Sequence, residues 1–143
     1  MNIENKTKNQ IKYGVEIQTP FKLIENKHIF KIFIQSLNHF KYNLGELDFD
    51  MNNENSIELY DWKGMTGHKN NQVIKLYSKL SKKDISSNFD IIRLELTSIN
   101  RKQAKNELLE LISYCEEFHL KSVNRFSKQS KDIISMFKKI LLE

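Results

Sequence analysis

Residues 72–97 read QVIKLYSKLSKKDISSNFDIIRLELT, a stretch with two segments in which apolar and polar side chains alternate. Six leucine and isoleucine residues of these segments occupy even-numbered positions: Ile74, Leu76, Leu80, Ile92, Leu94 and Leu96. A period of two is typical of a strand that buries one face. We therefore expect two strands, at 72–80 and 91–97, that are joined by a polar loop and present one apolar face to a core.

Further segments show the same alternation. Residues 12–18, 47–51 and 57–62 each place apolar side chains at every second position, and each is predicted to be a strand. Pro20 ends the first of them, because proline cannot donate a hydrogen bond to a strand ladder. Residues 63–71, KGMTGHKNN, contain two glycines and two asparagines and are predicted to form a loop.

In the remaining segments, apolar residues recur at the spacing of an amphipathic helix. Asn26 is a favourable N-cap for an amphipathic helix over residues 27–41. Asn100 and Gln103 resemble a capping box at the start of a second helix, and a third is expected from about Lys128. The order β-α-β-β-β-β-α-α predicts an α+β fold, with an antiparallel sheet of about five strands and the helices packed on one face.

Composition agrees with a folded domain. The chain has 143 residues, of which 39% are hydrophobic, with nine Phe and five Tyr, enough to build a core. We expect a flexible N-terminus over residues 1–10 and a single α+β domain over residues 11–143. The net charge of +5 is compatible with binding phosphate backbones, although an AT-rich genome also produces a lysine-rich chain.

Several function classes are disfavoured. The one cysteine, Cys115, excludes an intramolecular disulfide framework and a cysteine-pair zinc site, and its place in an apolar helical stripe predicts a core residue. No apolar run approaches the roughly 20 residues of a membrane span, and the polar residues 1–10 do not resemble a signal peptide. We therefore expect a cytoplasmic protein without a membrane partner. The phosphate-loop, dinucleotide-binding, HExxH and GxSxG motifs are absent.

The polar face of the predicted sheet combines aromatic and cationic side chains. Single-stranded nucleic-acid platforms need aromatic rings to stack bases and Lys or Arg to hold phosphates. The candidate nucleic-acid-binding residues are Lys75, Lys79, Lys82, Lys83, Arg93, Arg101, Tyr60 and Trp62. Two alternatives remain open, since a C-terminal helix could cover the aromatic residues, and the lysines could form ordinary cross-strand pairs with Glu95.

Carboxylates on the same face suggest a metal site. Asp48 and Asp50 are two residues apart on a predicted strand, so both point to one face. Together with Glu95 they could hold Mg²⁺ or Mn²⁺ through oxygen ligands. Alternating acidic residues also commonly just face water, and the lone His68 of the predicted loop is expected to be exposed.

The segments GHKNNQVIKLYSKLSKKD and FDIIRLELTSINRK, within residues 64–101, resemble rolling-circle replication initiators of filamentous phages and small plasmids. The resemblance is carried by Lys75, Tyr77, Lys79, Arg93, Glu95 and Arg101. It implies a sheet-based domain that binds single-stranded DNA or a replication origin, in which a tyrosine attacks a DNA phosphate with help from a divalent metal. Tyr77 is the nucleophile by position.

One feature of the initiator family is missing. Many of its nucleases bind metal through a His-hydrophobe-His triplet, and no such triplet occurs in this chain. This departure favours a DNA-binding protein of a mobile element over a metal-dependent nicking endonuclease. The alternative is a small phage-type inhibitor that docks on a host protein or ribonucleoprotein, for example an anti-CRISPR protein on an effector nuclease. Tyr60, Trp62 and the lysines would then anchor a protein interface.

Overall fold

The computed structural model describes residues 10–23, 26–44, 64–80, 88–121 and 128–143. These residues form an α+β fold with four strands and three helices. In chain order the elements are β1 (Ile11–Thr19), α1 (Lys27–His39), β2 (Gly64–Lys69), β3 (Gln72–Ser78), β4 (Asp90–Ser98), α2 (Arg101–Lys121) and α3 (Lys128–Leu142). The strands make one antiparallel sheet in the order β1-β4-β3-β2.

The sheet buries one face, which we call the inner face. The register aligns Val15 with Leu94 and Leu94 with Leu76, so apolar side chains of three strands stack in a row. Phe33 of α1 and Phe137 of α3 are fully buried in the same core. The predicted inward positions of β1 and β4 and those of Ile74 and Leu76 in β3 are therefore confirmed, and the described helices share the core that lies on this face. The predicted inward position of Leu80 is wrong, because β3 ends at Ser78 and Leu80 is half-buried beyond it.

The loop predicted for residues 63–71 is wrong, because residues Gly64–Lys69 form β2. Met65 is buried, and a side chain at Gly67 would approach Leu37 and Tyr42. Asn70 and the residue after it make the two-residue turn to β3, with Asn70 at a φ of 52°, a conformation that asparagine tolerates. The glycines therefore allow close packing in a strand instead of marking a loop.

Strand number is a second difference from the prediction of about five strands. The described residues form a four-stranded sheet, with β2 at one edge and β1 at the other. The strands predicted at 47–51 and 57–62, like the N-terminal residues 1–9, lie outside the described residues.

The two predicted helix caps differ in outcome. Asn26 precedes α1, but its side chain makes no cap hydrogen bond, and its Nδ2 donates to the carbonyl oxygen of Lys22 at 2.6 Å. At α2, the backbone N–H of Gln103 donates to Asn100 Oδ1 at 2.7 Å, as a capping interaction requires. Each helix in the described part of the chain is too short or too polar to cross a bilayer.

Cys115 lies in the core, as predicted. Its sulfur is 2.9 Å from Ser36 Oγ, and this contact joins α2 to α1. Burial raises the pKa of the Cys115 thiol to about 12. The thiol therefore stays protonated at neutral pH and is a structural side chain.

Candidate nucleic-acid interface

The outer face of the sheet, opposite the core, carries a mixed cluster of charges around one aromatic ring. Its side chains come from three neighbouring strands and the residue that follows β3: Lys12, Glu16, Lys75, Tyr77, Lys79, Arg93 and Glu95. Four are cationic and two are carboxylates, so the cluster has a net charge of +2. This excess of positive charge makes the outer face a candidate surface for phosphate groups.

The strand register explains why these side chains meet. Arg93 on β4 is aligned with Glu16 on β1 and with Tyr77 on β3. The next outward position on β4, Glu95, is aligned with Lys75 on β3. Side chains aligned in this way on adjacent strands are direct neighbours, so β4 forms the middle row of the cluster.

Glu95 is the buried centre of the cluster. Its Oε1 accepts hydrogen bonds from Arg93 Nε at 2.8 Å and from Tyr77 OH at 3.1 Å, and its side chain is only 6% exposed. Burial alone would raise the pKa of Glu95, but the hydrogen bonds from Arg93 and Tyr77 and the positive charge of Arg93 and Lys12 outweigh it. The pKa of Glu95 is therefore lowered, and the carboxylate is charged at neutral pH.

Glu16 is the exposed counterpart of Glu95. Its Oε2 accepts hydrogen bonds from Lys79 Nζ and Arg93 Nη1, both at 2.9 Å. The side chain of Glu16 is 36% exposed and that of Lys79 is 44% exposed. The hydrogen bond from Lys79, followed by that from Arg93, lowers the pKa of Glu16. A single carboxylate oxygen thus bridges two cations at the solvent boundary.

Gly14 makes this arrangement possible. A Cβ atom at Gly14 would lie 2.3 Å from Arg93 Nη2 and 2.4 Å from Arg93 Cζ. The guanidinium therefore lies over β1 at Gly14, the one position of this strand without a side chain, while it donates to Glu16, which is aligned with Arg93. Gly14 is not among the site residues predicted from sequence; a glycine inside an alternating strand is the signal that could have indicated such a close approach.

Tyr77 keeps its proton in this environment. Burial, the hydrogen bond to Glu95 and the negative charge of Glu95 all raise the pKa of the Tyr77 hydroxyl. A tyrosine nucleophile reacts through its oxygen after losing this proton, so the surroundings stabilise the unreactive form. The role of Tyr77 as a nucleophile stays a prediction.

Five of the predicted site residues come together on the outer face: Lys75, Tyr77, Lys79, Arg93 and Glu95. Arg101 lies apart from them, because its guanidinium is 5.2 Å from the ring centre of Tyr13, a residue of the inner face. The candidates Asp48, Asp50, Tyr60, Trp62, Lys82 and Lys83 lie outside the described residues.

A divalent metal would have to compete for Glu95. Within the described ranges, no group of three or more His, Cys, Asp or Glu side chains could hold a metal ion. Oxygen Oε1 of Glu95 already accepts two hydrogen bonds, one of them from the guanidinium of Arg93. Binding of Mg²⁺ or Mn²⁺ with Asp48 and Asp50 stays a prediction.

Comparisons with protein-family models, with curated proteins and with solved structures find no match for this chain.

Proposed function

We propose that this protein is a nucleic-acid-binding domain of a mobile element and that a single strand lies across the outer face of the sheet. The observation that carries the proposal is the half-buried side chain of Tyr77, with Lys75 before it on the same strand face, Lys79 just after the end of β3 and Arg93 beside it. A ring among cations offers a base a surface on which to stack and offers the flanking phosphates charged donors.

Lys75 is the side chain best placed for a backbone phosphate. It is aligned with Glu95, but Arg93 and Tyr77 donate to that carboxylate. Within the described ranges no ion pair occupies the ammonium group of Lys75. A phosphate that binds there would displace no ion-pair partner from the described part of the chain, and its binding would release counterions from the nucleic acid.

Binding without cleavage fits the chemistry of the face better than cleavage. The raised pKa of Tyr77 stabilises its protonated form, and Glu95 is engaged by Arg93. A nicking reaction would need Tyr77 to lose its proton and the phosphate to be polarised by a metal ion. Replication-initiator-like cleavage is therefore the less favoured part of the proposal.

The alternative function is that of a small inhibitor that docks on a host defence complex. The observation in its favour is that the outer face presents both signs of charge, with the side chain of Glu16 36% exposed and that of its cationic partner Lys79 44% exposed. Mixed charge around an aromatic ring suits a polar protein interface as well as a nucleic acid. The two proposals differ in whether binding requires a phosphate backbone.

Fluorescence anisotropy with a labelled single-stranded oligonucleotide tests the leading proposal. We expect binding that weakens steeply as salt rises. Lys75→Gln should weaken binding for all sequences alike and reduce the slope of log K against log salt by about 0.7, the value for one single-strand phosphate contact. Lys131→Gln is the matched control, since Lys131 is an exposed lysine of α3, on the core side of the sheet.

Two results would contradict the proposal. One is the absence of any signal at micromolar protein and low salt with single- and double-stranded DNA and with RNA. The other is an equal loss of affinity for Lys75→Gln and Lys131→Gln, because it would indicate an unspecific effect of net charge. A stoichiometric host protein that is retained after nuclease treatment, and lost with Lys75→Gln, would support the inhibitor instead.

A further inference from the structure

We propose that the carboxylate of Glu16 occupies the position of a backbone phosphate and is displaced when a nucleic acid binds. The inference rests on the proposed function and deepens it, because it names the site of one phosphate and a residue that limits affinity. Glu16 would act as an internal competitor, and Lys79 and Arg93 would hold either its carboxylate or the phosphate of a bound strand.

The contacts of Glu16 are those that a phosphate oxygen would make. Its Oε2 accepts from Lys79 Nζ and Arg93 Nη1, each at 2.9 Å, the usual length of a charge-assisted hydrogen bond. Both donors are cations, one from β4 and the other from the residue that follows β3, so together they define one point on the outer face. A backbone phosphodiester carries the same single negative charge as a carboxylate and likewise offers two free oxygen atoms, so it can use the same two donors.

Arg93 stays in position without Glu16. Its Nε donates to Glu95 at 2.8 Å, and its guanidinium lies against the backbone of β1 at Gly14. The side chain of Arg93 is 22% exposed, compared with 36% for Glu16. When Glu16 rotates away, the guanidinium is thus already oriented for another anion, and little ordering of this side chain is needed on binding.

The difference in exposure between the two carboxylates explains why a phosphate would displace Glu16 and not Glu95. Glu95 is 6% exposed, and its removal from Arg93 and Tyr77 would leave buried polar groups without partners. Glu16 and Lys79 face solvent, where an ion pair adds little to stability and water can replace either partner. A ligand can therefore displace Glu16 at small cost.

The neighbouring ring indicates that the phosphate belongs to a polynucleotide. Tyr77 is aligned with Arg93 on the adjacent strand, so a base stacked on the Tyr77 ring would have its phosphate close to the point that Glu16 occupies. Lys75, two residues from Tyr77 on the same strand face, could hold the next phosphate. A free phosphate would use the cations but gain nothing from the ring.

Three variants test the inference by oligonucleotide binding. Glu16→Gln removes the competing charge, and we expect affinity to rise on the order of three- to tenfold at low salt. The salt slope should stay unchanged, because wild type and variant bind the same phosphate once Glu16 is displaced. Glu16→Asp keeps the charge but shortens the side chain, so its affinity should lie between those of wild type and Glu16→Gln. Glu110→Gln is the control, because it makes the same charge change at an exposed position of α2.

Equal gains for Glu16→Gln and Glu110→Gln would overturn the inference while leaving the proposed function standing, as would a Glu16→Gln affinity equal to that of wild type. No binding of the oligonucleotide by wild type or by any variant would overturn both. Inorganic pyrophosphate is the second probe, and binding of it by Glu16→Gln as tightly as the oligonucleotide would identify a small-phosphate site and overturn the polynucleotide assignment. Unchanged far-ultraviolet circular dichroism and melting temperature would confirm that each variant is folded.

Discussion

Replacing Gly14 by alanine is expected to destabilise the protein through Arg93. The new Cβ atom would lie 2.3 Å from Arg93 Nη2, so the guanidinium must move. Moving it sacrifices the hydrogen bond to Glu95, worth roughly 1.5–3 kcal/mol for a charged pair, and the exposed contact with Glu16, worth at most about 1 kcal/mol. Alanine is itself roughly 0.5–1 kcal/mol more favourable than glycine within a strand, which offsets part of this loss.

The net loss should be about 0.5–3.5 kcal/mol in the free energy of unfolding, or a melting temperature lower by about 1–14 °C. Urea titration followed by circular dichroism measures it for Gly14→Ala, Arg93→Gln and the double variant. Once Arg93 is shortened, Gly14→Ala should be neutral or slightly stabilising, because nothing remains for the methyl group to displace. If Gly14→Ala lowered the free energy of unfolding equally in wild type and in Arg93→Gln, the close approach of Arg93 to Gly14 would not be the reason for a glycine at this position.

Two other substitutions probe the centre of the cluster. Tyr77→Phe removes the hydrogen bond to Glu95 but keeps the ring. It should therefore cost about 1 kcal/mol in stability, while DNA affinity changes by less than about twofold. If wild type nicks supercoiled DNA with Mg²⁺ or Mn²⁺, the same variant should abolish the nicking. Glu95→Gln should destabilise the protein at pH 7, and urea titrations should show its deficit shrinking as pH falls. The folded-state pKa of Glu95 is below its ordinary value of 4.5, so its stabilising effect is complete above that value and is lost as pH drops through the lowered pKa. A deficit that does not shrink as pH falls below 4.5 would contradict this.

The alternation of apolar and polar residues was sufficient to predict β1, β3 and β4 and the face that each of them buries. Burial of every second side chain in β1 and β3 follows from apolar residues at every second position, and the same reasoning placed Tyr77 and Arg93 on the opposite face. It failed at β2, where Gly64 and Gly67 lack the side chains that make a strand recognisable. Their role depends on what packs against them, which is set by tertiary contacts rather than by local sequence.

The candidate site was predictable within a strand pair but not across the sheet. Lys75, Tyr77 and Arg93 belong to segments joined by a short connection, so their proximity follows from an antiparallel arrangement. The pairing of Glu16 with Arg93 joins residues 77 positions apart, and no turn between them sets the register. The close approach of Arg93 to Gly14 depends on the same register, which aligns Gly14 with Glu95 of β4.

The two carboxylates of the outer face make stability and binding separable. Glu95 holds Arg93 and Tyr77 in place from a nearly buried position, so the ring and the guanidinium keep their orientation whether or not a ligand is present. Glu16 makes its contacts at the solvent boundary and can be replaced there by another anion. Had the two been equally buried, a phosphate could reach the cations only by disrupting the sheet surface. Because they are not, the charge that stabilises the strand pair remains fixed, and the exposed carboxylate is the part of the surface that a backbone phosphate can replace.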